Sequence, residues 1–427
     1  MRYISRLPDE RWQRTFPRTL AILGSTGSIG RSALEVVRLQ PERFRVAALA
    51  GGRNMPLLAT QAAEFRPDCL GVLEAPLIPK LRELLPAGYA PTIVAGQEGF
   101  ETIAALPGVS TVLSAQVGAA GLRATFAAAR SGKVIALANK ESLVLAGRLI
   151  RACCEKSGAS ILPVDSEHNA IFQCLTEFLL KNTPARAGDS ASPSGSEAGL
   201  RRLILTASGG PFYGRCREEL AGVTSAQALA HPNWTMGAKI TVDSATLMNK
   251  GLELMEAHHL YGLPMSDLDV VVHRESIIHS LVEFADGSHL AQLSLPDMRT
   301  PIAHCLGWPE RIRAGVPRLD LPALASMTFA RPDEETFSCL ALARQAQERG
   351  CGSPVVLNAA NEEAVAAFLE DHLGFLGIAD IVGQALAEYA SGMYSDHNAS
   401  REPESVDEVL ALDAEARRRA RELMRRA

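Results

Sequence analysis

The sequence predicts an α/β fold with a helical C-terminal part, and three observations carry this. Apolar segments alternate with helical patterns up to about residue 150, a glycine-rich turn joins the first segment to the first helix, and the periodicity becomes helical from about Ser326. Thr19-Leu20-Ala21-Ile22-Leu23 reads as a buried strand and Arg31 to Leu39 as an amphipathic helix. Phe44 to Leu49 is a second strand, and Cys69 to Leu73, Val109 to Leu113 and Val134 to Ala138 continue the series. Strands that alternate with helices run parallel with helices on both faces, the Rossmann-like, doubly wound arrangement. A central α/β region begins near Ile150, with strands at Leu203-Ile204-Leu205, Asp269 to His273 and Leu290 to Leu295. Val355 to Leu369 and Glu404 to Arg426 are the clearest C-terminal helices, with Ser391 to Glu402 as the loop between them. The six arginines from Arg417 to Arg426 fall at a helix end, where cations oppose the macrodipole, and are read as a solvated terminus rather than an RNA-binding tail.

At 427 residues the chain is long enough for two or three domains, and 47% apolar composition with a net charge of −5 fits an ordinary soluble protein with no nucleic-acid partner. Met1 to Arg18 mixes Arg11, Arg14 and Arg18 with Asp9 and Glu10 and has no apolar h-region, so it reads as a disordered or loosely docked arm and not a secretory signal. No segment approaches the roughly 20 apolar residues of a membrane helix. The eight cysteines lack C-x-x-C spacing and read as reduced thiols, not as a disulfide frame or zinc site. A cytoplasmic enzyme is the expectation. Asn182 to Gly199, rich in Ser, Ala, Gly and Pro, reads as a mobile surface loop without chemistry.

Between the first strand and first helix lies Gly24-Ser25-Thr26-Gly27-Ser28-Ile29-Gly30. Glycines there let the backbone turn tightly and approach a pyrophosphate seated on the helix N-terminus. The spacing is G-x-x-G-x-x-G, and the context, after a strand and before a helix, is the one dinucleotide binding requires. The second strand ends in Gly51-Gly52-Arg53-Asn54 instead of an acid. Arg53 can pair with a 2′-phosphate, which favours NADPH over NADH.

The chemistry concentrates in two stretches. Ala159 to Val164 reads as a short buried strand, and Asp165-Ser166-Glu167-His168 begins where it stops, at the strand end where open α/β sheets bind ligands. Side chains two apart on an extended chain point the same way, so Asp165 and Glu167 can face one hard cation with Ser166 and His168 turned elsewhere. In Ser244 to Glu253, a helix capped by Ser244 buries Leu247, Met248, Leu252 and Met255 and puts Asn249, Lys250 and Glu253 on the opposite face. Three carboxylates suit Mg²⁺ or Mn²⁺ rather than zinc. A surface ion cluster is the alternative.

Three further segments are open to two readings each. Lys140 in Asn139-Lys140-Glu141 can hold a substrate hydroxyl or phosphate, or be structural. Thr206 to Phe212 can cradle a phosphate through Ser208 and its glycines, or be an everyday turn. His231 to Gly237, with Trp234 one of only three tryptophans, is either a lid over a ligand or a loop anchored by a buried Trp.

Taken together, GSTGSIG, ANKESLV, PVDSEHNAIFQ, TASGGPF, HPNWTMG and VDSATLMNKGLE resemble, in that order, the 1-deoxy-D-xylulose 5-phosphate reductoisomerase family, and Leu357 to Ala364 resembles its terminal helices. The resemblance implies an arm over 1–18, an NADPH-binding Rossmann-like domain over 19–150, a catalytic domain over 151–300, a connecting segment over 301–325, a helical domain over 326–427, and a homodimer. It implies Asp165, Glu167 and Glu253 as ligands of one divalent cation. Thr26, Gly27, Ser28, Ile29, Gly52, Arg53, Asn54, Asn139, Glu141 and Gly237 match NADPH contacts. Lys140, Ser166, Glu167, Ser208, His231, Ser244, Asn249, Lys250 and Glu253 match substrate contacts, with Ser208, Ser244, Asn249 and Lys250 around the phosphate. Trp234 and Met236 match the lid, with Trp234 covering the substrate's carbon skeleton. Lys140, Glu167 and His231 are the catalytic candidates. The implied reaction rearranges and reduces 1-deoxy-D-xylulose 5-phosphate to 2-C-methyl-D-erythritol 4-phosphate. Two other readings compete: an NADPH reductase of a small phosphorylated carbonyl compound, for which acyl-phosphate chemistry needs a Cys in a crevice motif that this chain lacks, and a non-catalytic NADPH sensor, which has no need of the three acids.

Overall fold

A computed structural model describes residues 1–182, 199–234, 236–394 and 399–426. The expected surface loop at 183–198, residues 395–398 of the expected C-terminal loop, and Thr235 of the expected lid lie outside the described residues. The first sheet has seven strands: β1 (Arg18–Leu23), β2 (Phe44–Ala50), β3 (Cys69–Val72), β4 (Thr92–Ala95), β5 (Thr111–Ser114), β6 (Val134–Leu137) and β7 (Ser160–Pro163). Their order is β4-β3-β2-β1-β5-β6-β7, every pairing parallel. The doubly wound sheet is therefore as the alternation predicts, with β4, a half-exposed edge strand of four residues, as the member that was not read from sequence. The strand order reverses between β1 and β5. At that switch point the chain leaving β1 touches the chain leaving β5: a Cβ on Gly24, φ +91°, would stand 2.4 Å from the Ala115 carbonyl oxygen.

The second sheet holds β8 (Leu200–Ala207), β9 (Leu268–Val272), β10 (Ile278–Phe284) and β11 (His289–Leu293) in the order β11-β10-β8-β9. β8 and β9 are parallel, while β10 runs antiparallel to β8 and β11. The C-terminal part is helical: Cys339–Arg349, Ser353–Leu369, Phe375–Ala390 and Val406–Met424. Ser353–Leu369 is buried over most of its surface because the two helices that follow it and Cys339–Arg349 all pack on it. Among the described residues no helix is long and apolar enough to cross a membrane, and all eight cysteines are free.

Two expectations need correction. The N-terminal arm is docked: Tyr3, Ile4 and Trp12 are buried, Ile4 N–H donates to the Leu260 carbonyl at 2.7 Å, and Tyr3 Oη donates to the Ile161 carbonyl at 2.8 Å. Arg18 lies 3.6 Å over the Trp12 ring and donates to the carbonyls of Leu306 (2.5 Å) and Trp308 (2.9 Å). Isolated apolar residues in a charged segment carry no periodic signal, so only tertiary contact reveals their burial. Nor is the arginine-rich helix end wholly solvated, because Arg417 pairs with Glu362 at 2.7 Å and Asp413 at 2.7 Å and is only 20% exposed.

Candidate active site

The helix Ser28–Arg38 starts on Gly27, with no side chain capping its first amides, and buries Ala33, Leu34, Val36 and Val37 against the sheet. Uncapped N–H groups at the switch point are what an anionic pyrophosphate needs. Gly30 is required locally, since a Cβ there would come 2.4 Å from the Gly24 carbonyl oxygen.

Two adjacent strands supply the acids and a lysine. β6 runs into Asn139 and the helix Lys140–Ser157, and β7 runs through Val164 into Asp165 and the helix Ser166–Asn182. Asp165 and Glu167 therefore straddle a helix N-terminus and are not on an extended chain. Ser166 is not turned away as expected: its Oγ donates to Glu167 Oε2 at 2.5 Å. From the other side comes the helix Met248–Tyr261, preceded by Leu247 in a left-handed conformation (φ 61°). Ser244 does not cap this helix, because it lies inside the preceding helix Ala238–Ala245. The expected stripe of Leu247, Met248, Leu252 and Met255 is buried, and so are Lys250 and Glu253, where Lys250 meets Glu167 and Glu253 meets Lys140.

The result is an alternating lattice of charge. Lys140 Nζ stands 2.6 Å from Asp165 Oδ2 and 3.1 Å from Glu253 Oε1 and donates to Asn249 Oδ1 at 2.8 Å. Lys250 Nζ is 2.7 Å from Glu167 Oε1 and also pairs with Glu253 Oε2. Burial works against charge on both lysines, but the facing carboxylates outweigh it and hold both pKa values above the ordinary range. Burial likewise opposes charge on Asp165; Lys140 and then His168 overcome it and bring its pKa down to about 2. For Glu253, burial and the nearby Glu167 win, and its pKa is raised. Asp165, Glu167 and Glu253 each offer an oxygen within 4.8 Å of the others, so one hard divalent cation fits among them. Asp165, His168 and Glu256 form a second such group, but His168 and Glu256 are fully buried and do not line the cavity.

A cavity of about 710 Å³ joins these groups to the glycine turn. Every expected substrate residue lines it: Lys140, Ser166, Glu167 and Glu253 on one side, Ser208, His231 and Trp234 on another, with Ser244, Asn249 and Lys250 between. His231 Nδ1 accepts from the Asn233 and Trp234 amides at 3.2 and 3.0 Å, so its proton sits on Nε2 and points to Ser208 Oγ at 2.9 Å. Burial, with Arg274 adding to it, lowers the His231 pKa to about 4, keeping the ring neutral near pH 7. Ser208 Oγ also accepts from Gly210 N–H at 3.1 Å, which leaves its own proton for an anion. Trp234 is half-buried, its ring 6.1 Å from that of His279, and it is not a core anchor.

Of the expected cofactor residues, Gly27, Ser28, Ile29, Glu141 and Gly237 line the same cavity; Thr26, Gly52, Arg53, Asn54 and Asn139 do not. Thr26 packs over Gly51. Gly52 has open space around it, and the exposed Arg53 pairs with Glu74 at 3.3 Å. Asn54 Oδ1 caps the helix Met55–Phe65 by accepting from Leu57 N–H at 3.1 Å. Asn139 is buried and donates to the Gln116 and Gly118 carbonyls and to Glu141, which ties the loop after β5 to the loop after β6.

Comparison with known proteins agrees with this geometry. Profiles described as 1-deoxy-D-xylulose 5-phosphate reductoisomerase and two of its C-terminal domains match residues 20–147, 161–261 and 293–419. A protein of that description from Nitratidesulfovibrio vulgaris (strain DP4) is 59% identical over 418 residues, 98% of this chain and 96% of the relative. The chain belongs to the 1-deoxy-D-xylulose 5-phosphate reductoisomerase family. Another relative so described, from Xanthomonas axonopodis pv. citri, is 51% identical over 94% of this chain and 95% of its own. A crystal structure of DOX-P reductoisomerase in complex with NADPH, fosmidomycin and magnesium superposes with a TM-score of 0.88 at 44% identity, over 96% of this chain and 98% of that one. The Zymomonas mobilis enzyme in complex with NADPH gives 0.83 at 43% identity, over 96% and 99%.

Sequence reasoning missed residues of this family site that act through tertiary contact. Lys239, in the cavity wall, pairs with Asp243 at 2.8 Å and with Glu141 at 3.3 Å, and Asn361 Nδ2 donates to Asp243 Oδ1 at 2.8 Å. The i,i+4 spacing of Lys239 and Asp243 was the available signal; the partners from two other parts of the chain left none.

Proposed function

We infer that the chain is an NADPH- and divalent-metal-dependent oxidoreductase and isomerase that converts 1-deoxy-D-xylulose 5-phosphate to 2-C-methyl-D-erythritol 4-phosphate, a step of non-mevalonate isoprenoid precursor synthesis. The single observation that carries this is the continuity of one cavity from the glycine turn, past the three-carboxylate cluster, to the Ser208, Ser244, Asn249 and Lys250 group. A sensor of NADPH has no use for the second and third parts.

In this reading Asp165, Glu167 and Glu253 would hold Mg²⁺ or Mn²⁺, which would supply Lewis-acid polarisation of the substrate's oxygens. The uncapped N-terminus of Ser28–Arg38 would hold the pyrophosphate of NADPH, which would supply the hydride for the reduction. Lys250, Asn249, Ser244 and Ser208 hold the phosphate, and this remote binding orients the reacting carbons and contributes to lid closure. Neutral His231 keeps the Ser208 hydroxyl turned as a donor. Lys140 and Glu167 are the groups that move protons. Trp234 covers the carbon skeleton while His231–Gly237 excludes water.

The test is NADPH oxidation with 1-deoxy-D-xylulose 5-phosphate, with and without Mg²⁺ or Mn²⁺. Metal-dependent oxidation supports the reading, and no oxidation under any condition sinks it. Arg53→Asp is expected to weaken NADPH by about 2 kcal/mol or more and to spare NADH, because it replaces a charge-assisted contact with repulsion. The ratio of kcat/KM for the two cofactors checks this, and an unchanged ratio puts the 2′-phosphate elsewhere. The same reading makes the enzyme a cytoplasmic homodimer. The outer strand β11, with Leu290 and Leu293 exposed at a sheet edge, supports a second copy as the partner.

A further inference from the structure

Arg274 follows β9 and does not line the cavity, yet it grips the turn that does. Its Nη1 donates to the Ser208 carbonyl at 2.6 Å and to the Gly210 carbonyl at 2.8 Å, and its guanidinium lies 5.0 Å over the Tyr213 ring. Its own backbone carbonyl accepts from Asn233 Nδ2 of the lid at 2.5 Å, and the same Nδ2 donates to Ser276 Oγ at 2.8 Å. Ser276 holds an uncommon left-handed conformation (φ 52°), as a fixed attachment point for Asn233. The loop from His273 to Ser276 thus fastens both the phosphate turn and the lid.

The turn has a shape that needs fastening. Gly209 and Gly210 are both left-handed, at φ 77° and 68°, and a Cβ on Gly210 would stand 2.7 Å from the Ser244 carbonyl oxygen. Successive glycines in that region are conformationally free in isolation and costly to hold. In a trans peptide the C=O and the following N–H point opposite ways. Holding the Ser208 carbonyl on Arg274 therefore turns the Gly209 N–H away from the guanidinium. That N–H has no partner among the described residues, and Gly209 lines the cavity.

We propose that Arg274 is a positioning residue for phosphate recognition: it holds the Ser208 and Gly210 carbonyls from behind, aims the Gly209 amide and the Ser208 hydroxyl at the substrate phosphate, and links that turn to the lid through Asn233. The proposal rests on the function inferred above. Its positive charge, close enough to lower the His231 pKa, also favours a dianion in the cavity.

The experiment compares the wild-type protein with Arg274→Met, Arg274→Lys, Ser208→Ala and the Arg274→Met/Ser208→Ala double variant. Binding of a metal-chelating phosphonate mimic of the substrate is measured by calorimetry, beside steady-state kinetics. Arg274→Met is expected to raise substrate KM and the mimic's Kd by about tenfold or more, while kcat falls much less and NADPH binding and Tm stay unchanged. Arg274→Lys is expected to fall between, since it keeps a charged donor but loses the rigid planar group that presents Nη1 to both carbonyls. The double variant is expected to be little worse than the poorer single one, because both act on one turn. Unchanged KM and mimic affinity in Arg274→Met overturn the proposal. So does a loss of Tm and NADPH binding that matches the loss of mimic affinity in both Arg274 variants. A wild-type protein that does not turn over the substrate would instead sink the inferred function, and the calorimetric comparison still decides the role of Arg274.

Discussion

Glu253→Gln is expected to lower turnover by several orders of magnitude while NADPH binding and folding stay close to wild type. Gln keeps the shape of the Glu253 side chain, which is 1% exposed, and each neighbouring lysine keeps another carboxylate, Lys140 with Asp165 at 2.6 Å and Lys250 with Glu167 at 2.7 Å. Folding therefore tolerates the change. The cation would not, because the variant removes one of the three proposed carboxylate ligands, and a polarising ion held off its site would withdraw the largest part of the transition-state stabilisation. Titration of Mg²⁺ or Mn²⁺ into the variant, with NADPH fluorescence as the control for cofactor binding, separates the two effects. Near wild-type turnover with normal NADPH binding would remove Glu253 from the metal site.

Lys140→Met is expected to act differently, through the charge lattice that exists before any cation arrives. Lys140 Nζ stands against Asp165 at 2.6 Å and Glu253 at 3.1 Å, so its loss leaves buried carboxylates with Lys250 as the remaining cation. Removing one partner of a buried pair typically costs about 3–5 kcal/mol, since the other charge stays behind unsolvated. The metal-free variant should show a clearly lower Tm. With Mg²⁺ on the same oxygens, as proposed, the metal should raise the variant's Tm by more than it raises the wild type's. Turnover should still fall by orders of magnitude, as the lost ammonium is also a candidate proton donor at the substrate. Equal metal-induced shifts in Tm for both proteins would mean that Lys140 and the cation do not share ligands.

How much of this was legible beforehand can be followed residue by residue. The path from β1 through Gly24–Gly30 into its helix was readable because every step is local: an apolar run, glycines where the backbone must turn, then a 3.6-residue period. Asp165 was readable because a polar cluster begins where β7 stops. The stripe of Leu247, Met248, Leu252 and Met255 was readable from spacing. The cap assigned to Ser244 was not, since the left-handed Leu247 joins two helices that pattern alone merges into one. β4 escaped notice because a strand of four residues carries little signal of its own, and β10 because His279, Ser280 and Glu283, buried only through tertiary contact, break up its apolar run.

What the sequence by itself determined is the inventory and the local frame: a doubly wound sheet with a nucleotide turn, three acids, two lysines and a hydroxyl-bearing glycine turn, each at the end of a recognisable element. What only the tertiary structure decided is how they meet. Lys140 and Glu253 are 113 residues apart in sequence and 3.1 Å apart in space. Arg274 reads as an unremarkable charge until its Nη1 is seen to hold the Ser208 and Gly210 carbonyls. The physical reason is that local structure follows from backbone sterics and hydrophobic period over a few residues. The strength and role of a charge depend instead on burial and on its distance to partners, which exist only once the chain has packed.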